Sequence, residues 1–315
     1  MALTSAVRSR DGDVSPAVRR RGHRVTSGSR RGAWLFLLPA AAIYLFIVLW
    51  PSIRGAGLAF TDWNGLDPEK KFIGFGNFVQ LFNDPKAVSS LGHTLVIAIT
   101  ITLIQNGVGL ALALGANSRI KSRNLLRVLL FTPAIITPVA TGYLWQNLLG
   151  QNGAVNEALG LVGLDRLQQS WLGDDNLALA CICLVIIWQF AGYSMVIFLA
   201  NLQGISQEVI EASMVDGAGP VRRFWSIIRP ELAPAITINL MLSIIGGLKI
   251  FDQVWVMTGG GPGGATETMS TFLYKSAFQY GDFSYGIAIA VVLTILVAII
   301  SAGQFGLLSR QNRGS

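Results

Sequence analysis

The sequence predicts an all-α membrane protein with six transmembrane helices, and composition, apolar run length and the placement of basic residues together carry that prediction. Hydrophobic residues make up 52% of the 315 residues and charged residues 13%, about half the charge usual in soluble proteins. Too little charge remains to cover two water-soluble domains, although the length would allow them. The apolar residues are gathered into runs near the ~20 residues a helix needs to cross about 30 Å of hydrocarbon.

Six such runs are read, at about Trp34–Ser52, Leu91–Ala116, Leu125–Leu149, Leu177–Leu202, Leu232–Met257 and Tyr285–Leu308. Polar stretches rich in turn residues, such as Asp62–Lys71, Gly150–Asp175 and Thr258–Asp282, are expected to be loops. The run beginning at Ala33 is too long for a signal-peptide core and no small-residue cleavage site follows it, so it is read as a retained first span. Residues 1–32, rich in Arg, Gly, Ser and Pro, are expected to be a disordered basic tail ahead of a polytopic body over residues 33–315.

The basic residues set the orientation. With the N-terminus inside, that side holds 17 of the Lys and Arg residues, the other side 6, and Lys249 lies within a span. Basic excess stays in the cytoplasm, so both termini are expected there. Eight arginines in the first 31 residues account for much of the net charge of +7. With no accompanying aromatic or Gly-Arg pattern they suit lipid headgroups, and no nucleic-acid partner is expected.

Catalytic sets are missing. No Gly-Lys dipeptide occurs, so this chain has no Walker A loop, and His23 and His93 are the only histidines, so no zinc motif or other metal site is expected. His93 reads as a satisfied interfacial histidine. Cys181 and Cys183 both fall in an apolar run and read as packing residues. The glycine run Gly259, Gly260, Gly261, Pro262, Gly263, Gly264 precedes no helix with a lysine and is expected to be a flexible outer loop.

The stretch from Gly204 to Glu231, between the fourth and fifth runs, is built like two short helices. Ser206 can N-cap the first, with Glu208 in its opening turn. Gly217 can take the left-handed position after it, Pro220 can open the second and Pro230 end it. The first helix is expected over Gln207–Asp216, with Glu208, Glu211 and Val215 on one flank and Ile210 and Met214 on another, returned to the membrane body. Insertion into a groove on a soluble partner and repose on the bilayer surface are both compatible with such a helix.

Residues Glu211, Ala212, Ser213, then Asp216, Gly217, Ala218, then Phe224, Ile227, Pro230 and Leu232 resemble the EAA loop of ABC-importer permeases, where E-A-A/S, D-G-A, F, I, P and L stand at this spacing. Phe60-Thr61-Asp62-Trp63, Phe72-Ile73-Gly74, Asn77-Phe78, Phe251-Asp252 and Met257 to Pro262 resemble the carbohydrate-uptake branch, of the maltose and glycerol-phosphate type. Ser213 at the third EAA position is a small-for-small departure. The large outer domain and extra spans of the enteric maltose protein are absent. The resemblance implies type-1 importer-permease architecture with a core over about residues 88–308, and a bacterial inner-membrane location. It also implies a second homologous permease subunit, an extracytoplasmic solute-binding protein, and two ATPase subunits that hold ATP and Mg, with no cofactor in this chain. By the same carry-over the coupling set is Glu208, Glu211, Ala212, Val215, Asp216 and Gly217, with Glu211 contacting the ATPase, Asp216 bracing the turn and Gly217 forming it. Gly259, Gly260, Gly261 and Pro262 become the expected binding-protein contact.

Ionisable groups within a span are costly enough to mark function. Lys249 and Asp252, three apart, are expected on one helix face, where they could neutralise each other or meet a solute. Gln189, Tyr193 and Asn239 are named as lining a solute pathway, with Gln105, Asn106, Gln146 and Asn147 as further polar groups and Trp145 and Trp188 as possible aromatic platforms. Interhelical hydrogen bonding is the competing use of each. Gly107, Gly109, Gly246 and Gly247 are read as sites of close helix approach. The spans hold no acid besides Asp252, which disfavours a proton-coupled transporter, and the missing catalytic set disfavours a membrane enzyme.

Overall fold

The computed structural model describes residues 37–118 and 122–311, and divides into compact units at Ile53. The basic tail, Trp34, Arg119, Lys121 and Arg313 lie outside the described residues. The first unit contributes most of helix α1 (Leu37–Leu58), whose 22 residues have a mean hydropathy of 1.7 and are long enough to cross a membrane. The second unit, from Arg54 onward, contains everything described below.

It opens with a short antiparallel hairpin, β1 (Thr61–Asp62) and β2 (Lys71–Phe72), with Thr61 opposite Phe72. Buried Asn77, on α2 (Gly76–Asn83), donates to the carbonyls of Ala59 (2.8 Å) and Thr61 (2.9 Å) and ties the hairpin to that helix. Helix α3 (Pro85–Ala116) starts six residues before the apolar run, because Asp84 caps it, accepting from the Lys86 amide, and Pro85 presets its first turn.

The third apolar run does not cross as one helix. Helix α4 (Arg123–Phe131) passes into a tight turn over Thr132–Ile135, and α5 (Pro138–Leu148) leaves at 96° to the combined Arg123–Ile135 segment. The cause is local. Pro138 has no amide hydrogen, and Thr137 before it is held extended at φ −63°, ψ 145°. The fourth run is continuous as α7 (Leu177–Leu202).

The stretch expected to be a plain loop between α5 and α7 contains α6 (Ala154–Leu161), pinned by Asn156 to the carbonyls of Gln151 and Gln169. After α7 come α8 (Gln207–Val215) and α9 (Pro220–Glu231), the latter interrupted by a wide turn over Phe224–Ile228. Pro230 does not end this helix, because the wide turn before it lets the Arg229 amide reach back to the Phe224 carbonyl, and the chain bends 70° only at Leu232.

The fifth run is also broken, with α10 (Ala233–Leu248) stopping at Lys249 and α11 (Asp252–Met257) beginning after non-helical Ile250 and Phe251. Helix α12 (Met269–Tyr274) with a wide turn over Lys275–Gln279, and α13 (Phe283–Gln311), complete the unit. The expected outer loop Thr258–Asp282 is therefore partly helical. Among the described residues four helices are long and apolar enough to cross a membrane singly, or up to six if the bent pairs α4–α5 and α9–α10 each count as one span.

Helices α3, α7 and α10 form the centre. One cluster (Ile97, Ile101, Ile182, Val185, Ile186 and Val254 among others) surrounds the break in the fifth span, and a second (Ala113, Met195, Phe198, Leu202, Leu232) lies where α9 meets α10. Cys183 is buried in the first and Cys181 packs against it, both as free thiols. Two of the four glycines singled out make close contacts. A Cβ on Gly109 would stand 2.6 Å from the Ser194 Cβ, and one on Gly247 2.7 Å from the Ala98 Cα, whereas Gly107 and Gly246 have open space. Gly247→Ala is therefore expected to cost about 1–3 kcal/mol by overpacking, while Gly246→Ala stays within about 0.5 kcal/mol. Thermal unfolding of the purified pair of variants checks this, and equal midpoints would contradict the close α3–α10 approach.

Candidate functional site

A helix break inside a membrane protein exposes backbone groups that no lipid can satisfy. At the first break the Ile136 carbonyl accepts from Gln189 Nε2 on α7 (2.9 Å), and Gln189 Oε1 in turn accepts from Gln253 Nε2 on α11 (2.9 Å). Gln189 is fully buried and Gln253 is 1% exposed. At the second break the Ile250 carbonyl accepts from the Thr268 hydroxyl (3.3 Å), which also caps α12. The two broken spans are thus joined through a pair of glutamines, and Gly142 of α5 lies so near α11 that a Cβ there would be 2.9 Å from Val256.

Between the breaks lies a cavity of about 330 Å³ bounded by α3, α7, α10, the Lys249–Phe251 break and the start of α11. One wall is a hydrogen-bonded polar ladder. Gln105 donates to Ser194 Oγ (2.9 Å), Asn239 to the Ser194 carbonyl (3.3 Å), Ser243 to the Asn239 carbonyl (2.8 Å), and neighbouring Asn106 to Ser243 Oγ (2.8 Å). Phe190, Tyr193 and Phe251 supply aromatic surface, and Lys249 and Asp252 supply opposite charges.

Of the residues named for the pathway, Tyr193, Asn239, Lys249 and Asp252 line this cavity and Gln189 does not. Gln189 is committed to the Ile136 carbonyl and to Gln253 instead. Lys249 and Asp252 do not share a helix face and form no ion pair, because the helix ends between them and Phe251 turns to φ −134°, ψ −60°. The Lys249 ammonium, the Asp252 carboxylate and the Tyr193 hydroxyl have no protein partner among the described residues. Trp145 and Trp188 pack edge to face at 5.3 Å away from the lining, and Asn147 bonds its own helix at the Tyr143 carbonyl. Sequence reasoning missed Phe190, Ser194 and Ser243. The spacing of Phe190, Tyr193 and Ser194 on one helical side was the available signal.

The helical hairpin between α7 and α10 is tightly specified. Ser206 Oγ accepts from the Glu208 amide (3.2 Å), and α8 closes with Gly217 at φ +75°, its amide on the Met214 carbonyl (3.1 Å) and the Ala218 amide on that of Ser213 (2.9 Å). That double bond pattern is the Schellman stop, which glycine adopts without strain. The helix is one residue shorter than expected, with Asp216 as its C-cap. Its inward face is not Ile210 with Met214. Met214 is 51% exposed, while Ser213 is 6% exposed and donates to the Ile210 carbonyl (2.6 Å). The buried position of this helix is thus the small Ser213, one turn from Ile210. Glu208, Glu211, Ala212 and Val215 are exposed, Val215 at 88%.

The glycine run is an ordered turn, not a flexible loop. Gly259 and Gly260 have φ of +58° and +88°, the Gly261–Pro262 peptide is cis, and fully buried Thr266 binds the Gly261 carbonyl (2.6 Å) and the Thr258 hydroxyl (2.7 Å). Behind it Glu267 is ion-paired with Lys275 and accepts from Thr271 Oγ1, and its backbone carbonyl meets His93 Nδ1 at 3.1 Å.

Membrane-crossing helices broken around a polar cavity, with an ordered helical hairpin between the fourth and fifth apolar runs, define a polytopic transport subunit. The chain belongs to the family of binding-protein-dependent transport system inner membrane components, which matches over residues 105–313. It is 34% identical over 274 residues to the probable ABC transporter permease protein YurN of Bacillus subtilis, covering 86% of this chain and 94% of that one. It is 31% identical over 275 residues to the multiple sugar-binding transport system permease protein MsmF of Streptococcus mutans, covering 87% and 94%. A bacterial ABC transporter involved in import of the acidic polysaccharide alginate shares the fold, with a TM-score of 0.78 at 22% identity over 90% of this chain and 96% of that one. These relatives are transport components, not enzymes.

Replacing Gln189 by Leu strands the Ile136 carbonyl and the Gln253 amide in the interior. A loss of about 1–3 kcal/mol per stranded group is expected, read as a lowered unfolding midpoint. Asn147→Leu, which removes only a bond within one helix, serves as the control.

Proposed function

We propose that this chain is the permease subunit of an ATP-driven, binding-protein-dependent importer of a sugar or related polyol, and that the cavity between the two broken spans receives the solute. The observation that carries this reading is the set of unpartnered polar ends, Lys249, Asp252 and Tyr193, gathered beside Phe190 and Phe251 in one cavity. Sites for small polar solutes combine apolar and aromatic walls with a few fixed polar groups. A pyranose presents both surfaces, a C–H face and a rim of hydroxyls. The Streptococcus mutans relative, a permease of a multiple sugar-binding transport system, supports the same class.

In this reading both termini are cytoplasmic, and the Gln207–Glu231 hairpin meets a cytoplasmic ATPase that holds ATP and Mg. Glu208, Glu211, Ala212 and Val215 form the exposed docking surface, and Asp216 and Gly217 fix the stop that aims it. A second permease of the same family completes the pathway. The ordered turn at Gly259, Gly260, Gly261 and Pro262, near the opposite end of α11, suits contact with the binding protein.

Two outcomes are expected in proteoliposomes holding the whole transporter. Asp252→Asn and Tyr193→Phe each lower sugar uptake about tenfold, from the loss of a hydrogen bond involving a charged or rigidly held group, while stimulation of the ATPase by the binding protein persists. Undiminished uptake in both variants would move the solute site elsewhere. Glu211→Ala separates hydrolysis from uptake, and normal uptake per ATP hydrolysed in that variant would remove the hairpin from the coupling path.

A further inference from the structure

A line of aromatic rings leaves the cavity and reaches the β1–β2 hairpin. Phe251, in the cavity wall, is stacked on Trp255 with centroids 5.6 Å apart and planes at 11°. Tyr274 lies 4.8 Å from Trp255, Phe278 lies 5.3 Å from Tyr274, Phe283 lies 5.9 Å from Phe278, and Trp63 lies 5.4 Å from Phe283. Lys70 Nζ stands 4.3 Å over the Trp63 ring and marks the far end. No step exceeds 6 Å, although the rings come from four separate segments of chain.

We infer that this row is a stacking track on which a pyranose is received and passed to the cavity, an inference that rests on the sugar reading above. Trp63, Phe251, Trp255 and Phe283 are half-buried, and packing does not account for the two exposed rings between them, Tyr274 and Phe278. The Met269–Gln279 segment already buries Met269, Phe272 and Ala277, while Phe278 is 65% and Tyr274 37% exposed. Trp255 Nε1 and Tyr274 Oη have no hydrogen-bond partner among the described residues. Flat apolar faces with unpartnered polar tips match the two surfaces of a sugar ring. Interfacial aromatics that merely anchor a protein form a belt at one depth around it. These rings instead form a line that starts at a cavity residue and ends at a cation-capped tryptophan.

The test uses the assembled transporter in proteoliposomes, with lactose, maltotriose and diacetylchitobiose as the probes. Phe278→Ala and Tyr274→Leu are expected to raise the KM for the transported probe about tenfold, equal to about 1.4 kcal/mol, with maximal uptake and basal ATPase rate within about twofold. Phe278→Trp is expected to restore the wild-type KM, which a packing role for so exposed a ring would not require. An unchanged KM in both variants overturns the track and leaves the cavity reading intact. Loss of the second permease from the purified complex on Phe278→Ala also overturns it, by making the row a subunit contact. Failure of the wild-type transporter to move any of the three probes counts against the sugar reading itself, and the track falls with it.

Discussion

The constraint on which this structure turns is that every interior carbonyl freed by a broken helix must find a donor, since neither lipid nor an apolar core supplies one. At the two breaks the Ile136 and Ile250 carbonyls are each met by a side chain from another element, Gln189 and Thr268 respectively. Because Gln189 also accepts from Gln253, the geometry of one break is communicated to the other through two amide side chains. These two carbonyls are therefore satisfied by the protein itself, with no water required.

That arrangement also explains why an ammonium and a carboxylate coexist in the cavity without pairing. An intact helix would have placed Lys249 and Asp252 one turn apart, where they would satisfy each other. The non-helical residues between them leave the two groups unpaired in the cavity lining, which also holds Gln105, Ser194 and Asn239. At the other end of α10, Leu232 is fully buried at the 70° bend among Met195, Phe198 and Leu202. The helical hairpin is therefore anchored in the same packed core that surrounds the fourth span.

Much of this was legible in the residues, and the failures have common causes. Run length located the four helices long enough to cross a membrane singly, and the fourth run was read to the residue, because continuous apolar runs answer only to the thickness of the solvent. Ser206, Gly217 and Pro220 specified the hairpin because caps and stops act locally. The breaks were missed because hydropathy cannot distinguish a straight apolar segment from a bent one. Pro133 and Pro138 in the third run, and Gly246-Gly247 before Lys249 in the fifth, were the local signs. The role of Gln189 could not be read at all, since the Ile136 carbonyl lies 53 positions away in sequence. The buried position on α8 is Ser213 and not Met214, a difference that hydrophobicity alone could not show.

The Thr268 hydroxyl has one further consequence. It caps one helix while holding the Ile250 carbonyl, and Thr266 just before it fastens the glycine turn at Gly261 and Thr258. The 18-position stretch between Ile250 and Thr268 is thereby stitched at both ends and in the middle. Its length is then a fixed quantity, like the link of a crank, and not slack that a lineage can lengthen or shorten freely. Variation in transported cargo would be accommodated by exchanging side chains around the cavity, with the contour of this stretch kept constant.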